Sequence, residues 1–438
     1  MNSDIGRIVG KIGQSDEAFY YREHYANTEP GHFAVIKISG ECIDKSLEQI
    51  AEDLSDLYQL ELVPVVTHGF GDSLTRILNA LGIDSKFVNG NRYTDKRVMA
   101  QVRLIAQKTA IRLHDAIVSK GGRAEILGPT QGIITARDKQ TEGYGGHNGD
   151  VVGVNTNPIM RAIALGYIPI VSPVGVSADG AKLYNINAAV VGAELAKAID
   201  PVKYIMITGS GGVLGEGRII IPEIVLRTNY ERLVKDDMIS GGMLKNVEEA
   251  KQCLYTRENG DDRSVQVVGA DNLLKELFTR KGAGTYIRKG YVIHKTPLEN
   301  FSPHVLMGMA YSRFGEELRE YFFEETPKVV YHEQKPKGLG VVIPKPGGFG
   351  PYLDLLVVDN GYGKNGLGTD IVNEIGPVLS WRSRKSREIT DWYFKISNGH
   401  QEFTGTDGHR YNYFWRGLTF DQVGEGLKFA RQRPKNFK

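Results

Sequence analysis

Between residues 33 and 214 the chain repeats one pattern: a short apolar run ends in a glycine-bearing turn, and a helix-like run follows. "FAVIKISG" (33–40), "LVPVVTHGFG" (62–71), "YIPIVSPVG" (167–175) and "KYIMITGSGGVL" (203–214) are the apolar runs. They read as short buried strands. "DSLTRILNALGI" (72–83) and "NAAVVGAELAKAI" (187–199) read as helices. This alternation predicts an α/β domain with a largely parallel sheet covered on both faces. Ligands of such sheets lie beyond the carboxyl ends of the strands.

A chain of 438 residues exceeds one ordinary core, so at least two domains are expected. Its 52 glycines fall at element ends rather than in a repeat, as many tight strand-to-helix turns require. Lys+Arg 54 against Asp+Glu 52 leaves a net charge of +2, which supplies no field for nucleic acid or an anionic membrane. No apolar run reaches the roughly 18 residues of a bilayer span, and "MNSDIGRIVGKIGQSDEAFYYREHY" has no signal-type apolar stretch. Cys42 and Cys253 are far apart and lack metal-ligand spacing. The expectation is a cytoplasmic protein without a metal site.

Residues 4–27 read as an amphipathic helix, with Ile5, Ile8, Val9, Ile12, Phe19 and Tyr20 on one stripe, ended by "EPGH". "GTYIRKGYVIHKTPLENFSP" (284–303) reads as a hairpin and a linker, placing a boundary near 295–303. Beyond it "SRFGEELREYFFEE" reads as a helix, and "KVVYHEQK", "KGLGVVIPK" and "PYLDLLVV" as antiparallel strands. "LSWRSR", "DWYFKIS" and "RYNYFWRGL" read as later strands. Three segments result: a helix in 1–29, a domain over 30–295 and a mixed α/β domain over 303–438.

In "VVDNGYGKNGLGTDIVNEI" (357–375) a strand passes through closely spaced glycines into a helix that starts near Thr369. Glycine lets the backbone approach a ligand, and free N–H groups with the helix dipole favour an anion. A lone glycine pattern is weak evidence, and a ligand-free surface turn is the competing reading.

The setting resembles the pyrophosphate loop of Gcn5-related acetyltransferases, which binds acetyl-CoA. That resemblance implies a site of Val357, Val358, Gly363, Lys364, Gly366, Leu367, Gly368 and Thr369, with acetyl-CoA as acyl donor. The family usually has Gln or Arg where Gly363 stands, and Lys364 offers charge without that geometry. Over a longer stretch, "YLDLLVV", "GLGTDIV", "LSWRSR", "DWYFKISNG" and "YNYFWRGL" resemble, in order, the C-terminal domain of the N-acetylglutamate synthase/kinase family. "VIKISGE", "THGFGD", "KFVNGNRYTD", "YNINAAVVGAELAKAI", "SGGMLKNVEEA" and "KELFTRKGAGTYI" resemble the same family's amino-acid kinase domain. The implied architecture is a three-layer αβα amino-acid-kinase-like domain followed by a Gcn5-related acetyltransferase domain, in a homodimer or homotetramer.

In the resembled kinases two lysines and an aspartate organise phosphoryl transfer. Lys37 keeps the first lysine. The aspartate's position holds Ala189, the second lysine's holds Asn246, and Lys245 sits about 100° away around a helix. Glu41 replaces a glycine and would repel nucleotide phosphates. One lost electrostatic stabiliser typically costs ~10²–10³ in rate, so ATP/Mg turnover is doubtful. The kinase-like pocket would comprise Lys37, Gly69, Gly71, Arg92 and Asn185. Alternatively Arg92 only pairs with a surface carboxylate and Asn185 only caps a helix. The resemblance implies an L-arginine effector site formed by Phe19, Tyr20, Gly282, Gly284 and Thr285.

Acetyl transfer to an amine needs a neutral amine, a polarised carbonyl and a proton for the departing thiolate. By resemblance Tyr393 faces the thiolate, and a tyrosine of ordinary pKa about 10 suits proton donation. Arg382 and Arg384 would bind the two carboxylates of glutamate, since alternation places both on one face of a strand. Both could instead be ordinary surface residues, and Tyr393 ordinary core. Leu355 replaces the family's acceptor-binding lysine, and Arg387 an asparagine. The readings are therefore N-acetylation of L-glutamate in arginine synthesis with an arginine-sensing kinase-like domain, N-acetylation of another amino acid, a non-catalytic sensor, or an active N-acetylglutamate kinase.

Overall fold

The structure is a computed structural model that describes residues 6, 10–11, 15–88, 91–139, 146–255, 264–279, 282–324, 327–359, 366–384 and 390–438. The chain divides into two compact units, Met1–Lys289 and Gly290–Lys438.

The first unit is built on an eight-stranded sheet. Its order runs Glu223–Val225, Thr285–Arg288, Ser264–Val268, Lys203–Ile207, Ala34–Ile38, Val65–His68, Ile168–Val171 and Ala124–Leu127. Neighbours are parallel except Ser264–Val268 with Thr285–Arg288. Every side chain of the interior strands Ala34–Ile38 and Val65–His68 is buried, so the sheet needs a cover on each face. Helices Gly40–Gln59, Lys96–Ser119 and Leu273–Phe278 supply one cover. Asn157–Ala164, Ala188–Ile199 and Gly241–Tyr255 supply the other. This is the three-layer αβα arrangement anticipated from the strand–turn–helix alternation. A four-stranded sheet (Leu183–Asn185, Val174–Val176, Ile134–Asp138, Gly149–Val154) stands beside it.

In the N-terminal segment the structure describes helix Ser15–Ala26, with Ala18 and Tyr25 buried. Tyr25 anchors it by donating to Leu277 O at 2.7 Å. Residues 1–5, 7–9 and 12–14 lie outside the described residues.

The second unit carries a seven-stranded sheet in the order His294–Pro297, Val329–His332, Gly338–Ile343, Tyr352–Val358, Leu379–Arg384, Arg410–Arg416 and Gly399–Thr404. Helices Leu367–Ile375 and Thr390–Ile396 pack on one face through Leu367, Ile371 and Tyr393. Pro303–Phe314 and Phe420–Gln432 contribute to the clusters against Leu355 and Tyr413.

Three sequence expectations are corrected here. The 284–303 segment is not a hairpin: Thr285–Arg288 joins the first sheet, while His294–Pro297 pairs antiparallel with Val329–His332 in the second. The partition accordingly falls at 289/290, ahead of 295–303. "SRFGEELREYFFEE" is not one helix, because Pro303–Phe314 stops at Gly315, whose φ of +68° closes the turn, and Tyr321–Glu324 starts afresh. "DWYFKIS" is helix Thr390–Ile396 rather than a strand. Trp392, Tyr393 and Ile396 pack inward together while Phe394 is 42% exposed, a helical spacing that the aromatic composition disguised.

Candidate active site

In the second sheet the strands Tyr352–Val358 and Leu379–Arg384 are parallel neighbours. They pair only at Tyr352↔Ser380 and Leu353↔Trp381, then part. The register against Gly338–Ile343 shifts at the same place: Val342 faces Leu353 and Val341 faces Leu355, leaving Asp354 as a β-bulge. Residues 354–358 and 382–384 thus edge a gap in the ladder, where backbone N–H and C=O groups are left for another partner.

Helix Leu367–Ile375 starts at the end of this gap. Its N-cap is Gly366, at φ +82°, and no side chain caps it, so its first N–H groups point outward as an anion site requires. Leu367 is fully buried and anchors the helix start, with Val357 buried and Val358 half-buried beside it. Gly368 faces Val358 and the Trp392 indole, each 3.6 Å from where a Cβ would stand, and Thr369 is half-buried. Gly363 and Lys364 lie outside the described residues.

Tyr393 is 7% exposed on the same face as that helix, within 5.6 Å (ring centroids) of Trp381 and Phe414. The two arginines of "WRSR" share the opposite face, since Arg382 pairs with Tyr413 and Arg384 with Tyr411, which pack under helix Phe420–Gln432. Their roles diverge. Arg382 donates to Ala430 O at 2.9 Å, Arg433 O at 2.7 Å and Pro434 O at 2.6 Å, closing the end of that helix. Its guanidinium also lies 4.8 Å from the Tyr411 ring centroid. Arg384 lies beside the Tyr411 hydroxyl and lowers its pKa against the larger rise from burial, and its Nη2 is buried without a partner among the described residues. Arg387 lies outside the described residues.

Leu355, at the family's lysine position, is 5% exposed in an apolar cluster with Leu306, Ala310 and Val341. Asp354 beside it is buried between Arg433 and Lys328. Burial raises its carboxyl pKa, and the two cations more than reverse that, leaving it below the ordinary value. Sequence reasoning missed a polar pair on Tyr393's face: Ser383 and Asn412 face each other across strands, both buried, with Asn412 Oδ1 unpartnered. Simple alternation against the arginines would have found it.

In the first unit, the turns after Ile38 and His68 touch. Gly69 N donates to Ile38 O at 2.8 Å, and a Cβ on Gly40 would stand 3.0 Å from the Phe70 backbone. Gly71 opens helix Gly71–Ala80, which has no side-chain cap. Lys37 is 8% exposed and makes no hydrogen bond or ion pair among the described residues. Burial lowers its pKa, offset in part by Cys42 and Glu249. The Glu41 carboxylate packs against Gly209 and is bound by Lys45 at 2.7 Å, so it fills the gap between two strand-end turns.

A cavity of about 310 Å³ lies nearby, lined by Lys139, Asn148, Asp150, Asn185, Asn187 and Glu249 among others. Asn185 donates to Thr94 Oγ1 at 3.0 Å, whereas Asn187 caps helix Ala188–Ile199 through Ala189 N at 2.9 Å. Arg92 is turned away to Thr75 Oγ1 (2.7 Å) and Gly71 O (3.3 Å), with burial lowering its pKa and Nη1 unpartnered. Its carbonyl accepts from Nδ2 of the cavity-lining Asn148 at 2.7 Å. The side chain of Lys245 lies outside the described residues.

Of the effector residues, Thr285 is fully buried and its hydroxyl is in use. It accepts from Val213 N at 2.8 Å and donates to Ile221 O at 2.7 Å. Gly284 leaves no room for a side chain, since a Cβ would strike Val267 O. Gly282 takes φ +62° and its N–H reaches Thr279 Oγ1 at 3.2 Å. Phe19 is half-buried on helix Ser15–Ala26, and the side chain of Tyr20 lies outside the described residues. Among the described residues no group of three or more metal-binding side chains occurs, and no helix is long and apolar enough to cross a membrane.

Residues 32–260 match the model of the Amino acid kinase family. The acetylglutamate kinase of Xylella fastidiosa is 32% identical over 429 residues, covering 97% of this chain and 99% of that protein. N-acetylglutamate synthase from Neisseria gonorrhoeae, solved with coenzyme A and N-acetyl-glutamate, superposes with a TM-score of 0.63 at 18% identity, covering 92% of this chain and 98% of that one. The same enzyme solved with coenzyme A and L-arginine gives 0.60 at 19%, covering 93% and 99%. The chain therefore belongs to the amino acid kinase family, matching an acetylglutamate kinase over nearly its whole length, and it shares the fold of the solved N-acetylglutamate synthase.

Proposed function

We propose that the second unit is an acetyl-CoA-dependent amino-acid N-acetyltransferase of the N-acetylglutamate synthase type. The observation that carries this is the parting of Tyr352–Val358 from Leu379–Arg384 at the head of an uncapped helix. Backbone groups left open along the gap suit the amides of an extended acyl carrier. The Gly366–Thr369 helix start suits its pyrophosphate, which the helix dipole stabilises. Residues of the chain then have separable tasks. Arg384 fixes the acceptor's carboxylate, Tyr393 hands a proton to the departing sulfur, and the aromatic cluster around Tyr393 excludes water. The acceptor's amine nitrogen forms a C–N bond as the C–S bond breaks. The proton it loses balances the one the sulfur gains, so the products are an amide and a free thiol.

The first unit serves this reading as a regulatory domain that does not turn over ATP. Glu41 stands where phosphate would need a neutral backbone, and Lys37 lacks both an aspartate at Ala189 and a cation at Asn246. Arginine-like effectors are its expected ligands, bound near helix Ser15–Ala26. A second reading, phosphorylation of an N-acetylated amino acid, is favoured by the retained Lys37 and the adjoining polar cavity.

The deciding experiment measures release of free CoA thiol from acetyl-CoA in the full chain, with and without an amino acid, L-glutamate being the first acceptor. Acceptor-dependent release supports the transferase. Absence of both release and acetyl-CoA binding eliminates it, and ADP formation with N-acetylglutamate would establish the kinase instead.

A further inference from the structure

Resting on the transferase reading above, we infer that the acyl acceptor presents one carboxylate and an uncharged side chain rather than the two carboxylates of glutamate. Three features on the Tyr411–Tyr413 face of the sheet carry this. Both terminal nitrogens of Arg382 donate to carbonyls, those of Ala430, Arg433 and Pro434, so turning them to a ligand would uncap helix Phe420–Gln432. Arg384, two residues on at the lip of the gap, keeps a buried Nη2 with no partner among the described residues, which matches one planar carboxylate. Across the gap the Asp354 bulge turns Leu355 to this side, where an apolar side chain stands in place of a cation. A second carboxylate there would be desolvated against leucine, and the neighbouring cations among the described residues, Lys328 and Arg433, are already engaged by Asp354.

Glutamate and glutamine are near-isosteric, so they isolate the charge. With the full chain and saturating acetyl-CoA, thiol release is expected with kcat/KM at least about tenfold higher for L-glutamine than for L-glutamate. Arg384→Gln is expected to lower kcat/KM for glutamine roughly 10–100-fold, the range of a lost charge-assisted hydrogen bond, with the KM for acetyl-CoA unchanged. Leu355→Lys is expected to shift the preference towards glutamate. Arg382→Gln lowers the melting temperature and leaves the glutamine-to-glutamate ratio where it was.

A preference for glutamate that disappears in Arg387→Gln would overturn the inference, because Arg387 would then supply the second cation. Any other preference for glutamate, or acetyl-CoA binding without turnover of either amino acid, overturns it as well. If calorimetry shows no acetyl-CoA binding, the transferase reading itself falls, which distinguishes the two failures.

Discussion

Arg433 donates from Nε and Nη2 to the two carboxylate oxygens of Asp354, each at 2.5 Å, inside the second unit. Both groups are buried, and Lys328 approaches the same carboxylate at 3.1 Å. The pair ties the residues after helix Phe420–Gln432 to the bulge from which the gap opens. Removing one member leaves a buried charge uncompensated, at a typical cost of about 3–5 kcal/mol. Asp354→Asn is therefore expected to lower urea stability by that order. The pH dependence follows from the lowered carboxyl pKa. The contribution is complete above the unfolded value of about 3.9 and is lost as pH falls through the folded one. A wild-type acid transition retained in full by the Asn variant would show that the pair contributes nothing.

Lys37 gives the opposite sign. Burial lowers its pKa, so the folded state resists the charged form, and the cost is greatest at low pH and vanishes above roughly pH 10.4. Lys37→Met is expected to be neutral to about 2 kcal/mol more stable at pH 7, with the gain shrinking as pH rises. CoA-thiol release should be unaffected. Loss of measurable ATP turnover in this variant would mean that the first unit still works as a kinase.

How much of this was readable beforehand varied with the range of the interaction. Strands such as "FAVIKISG" declared themselves because a run buried on both faces has one physical explanation. The Gly366 helix start was equally local, a glycine turn leading into a helix. "DWYFKIS" carries the signal of its helix, since Trp392, Tyr393 and Ile396 have helical spacing and only its aromatic composition argues for a strand. The fate of Arg382 could not be read at all. Its three carbonyl partners lie 48 to 52 residues later, and nothing in "WRSR" records them.

Thr285 offers a test of the effector segment. With its hydroxyl bonded to Val213 N and Ile221 O in a fully buried setting, Thr285→Val leaves a donor and an acceptor unsatisfied. Each such orphan costs about 1–3 kcal/mol, so chemical denaturation should show a loss of that order even without arginine. A variant of unchanged stability and altered arginine response would instead assign the hydroxyl to the ligand.

Gly366 separates anion binding from fold. At φ +82° an alanine costs about 1–2 kcal/mol of backbone strain and disturbs the first free N–H groups of the helix. Gly366→Ala should raise the KM for acetyl-CoA severalfold, leaving the acceptor's KM unchanged. An unaltered acetyl-CoA KM would move the pyrophosphate site elsewhere.

Tyr393 sits between two roles that one substitution can tell apart. Its ring packs with Trp381, Trp392 and Phe414, and phenylalanine would preserve all three contacts. If the ring alone matters, Tyr393→Phe should leave turnover intact. If the hydroxyl delivers the proton to the leaving sulfur, general acid catalysis is lost, typically worth about 10²–10⁴ in rate. The expected result is a fall in kcat of that order with KM for both substrates nearly unchanged, since the hydroxyl would act after binding. A better leaving group needs less protonation, so an acyl donor with a more acidic thiol should recover much of the lost rate. Recovery of that kind has no explanation in packing, and its absence alongside a low kcat would return Tyr393 to the core.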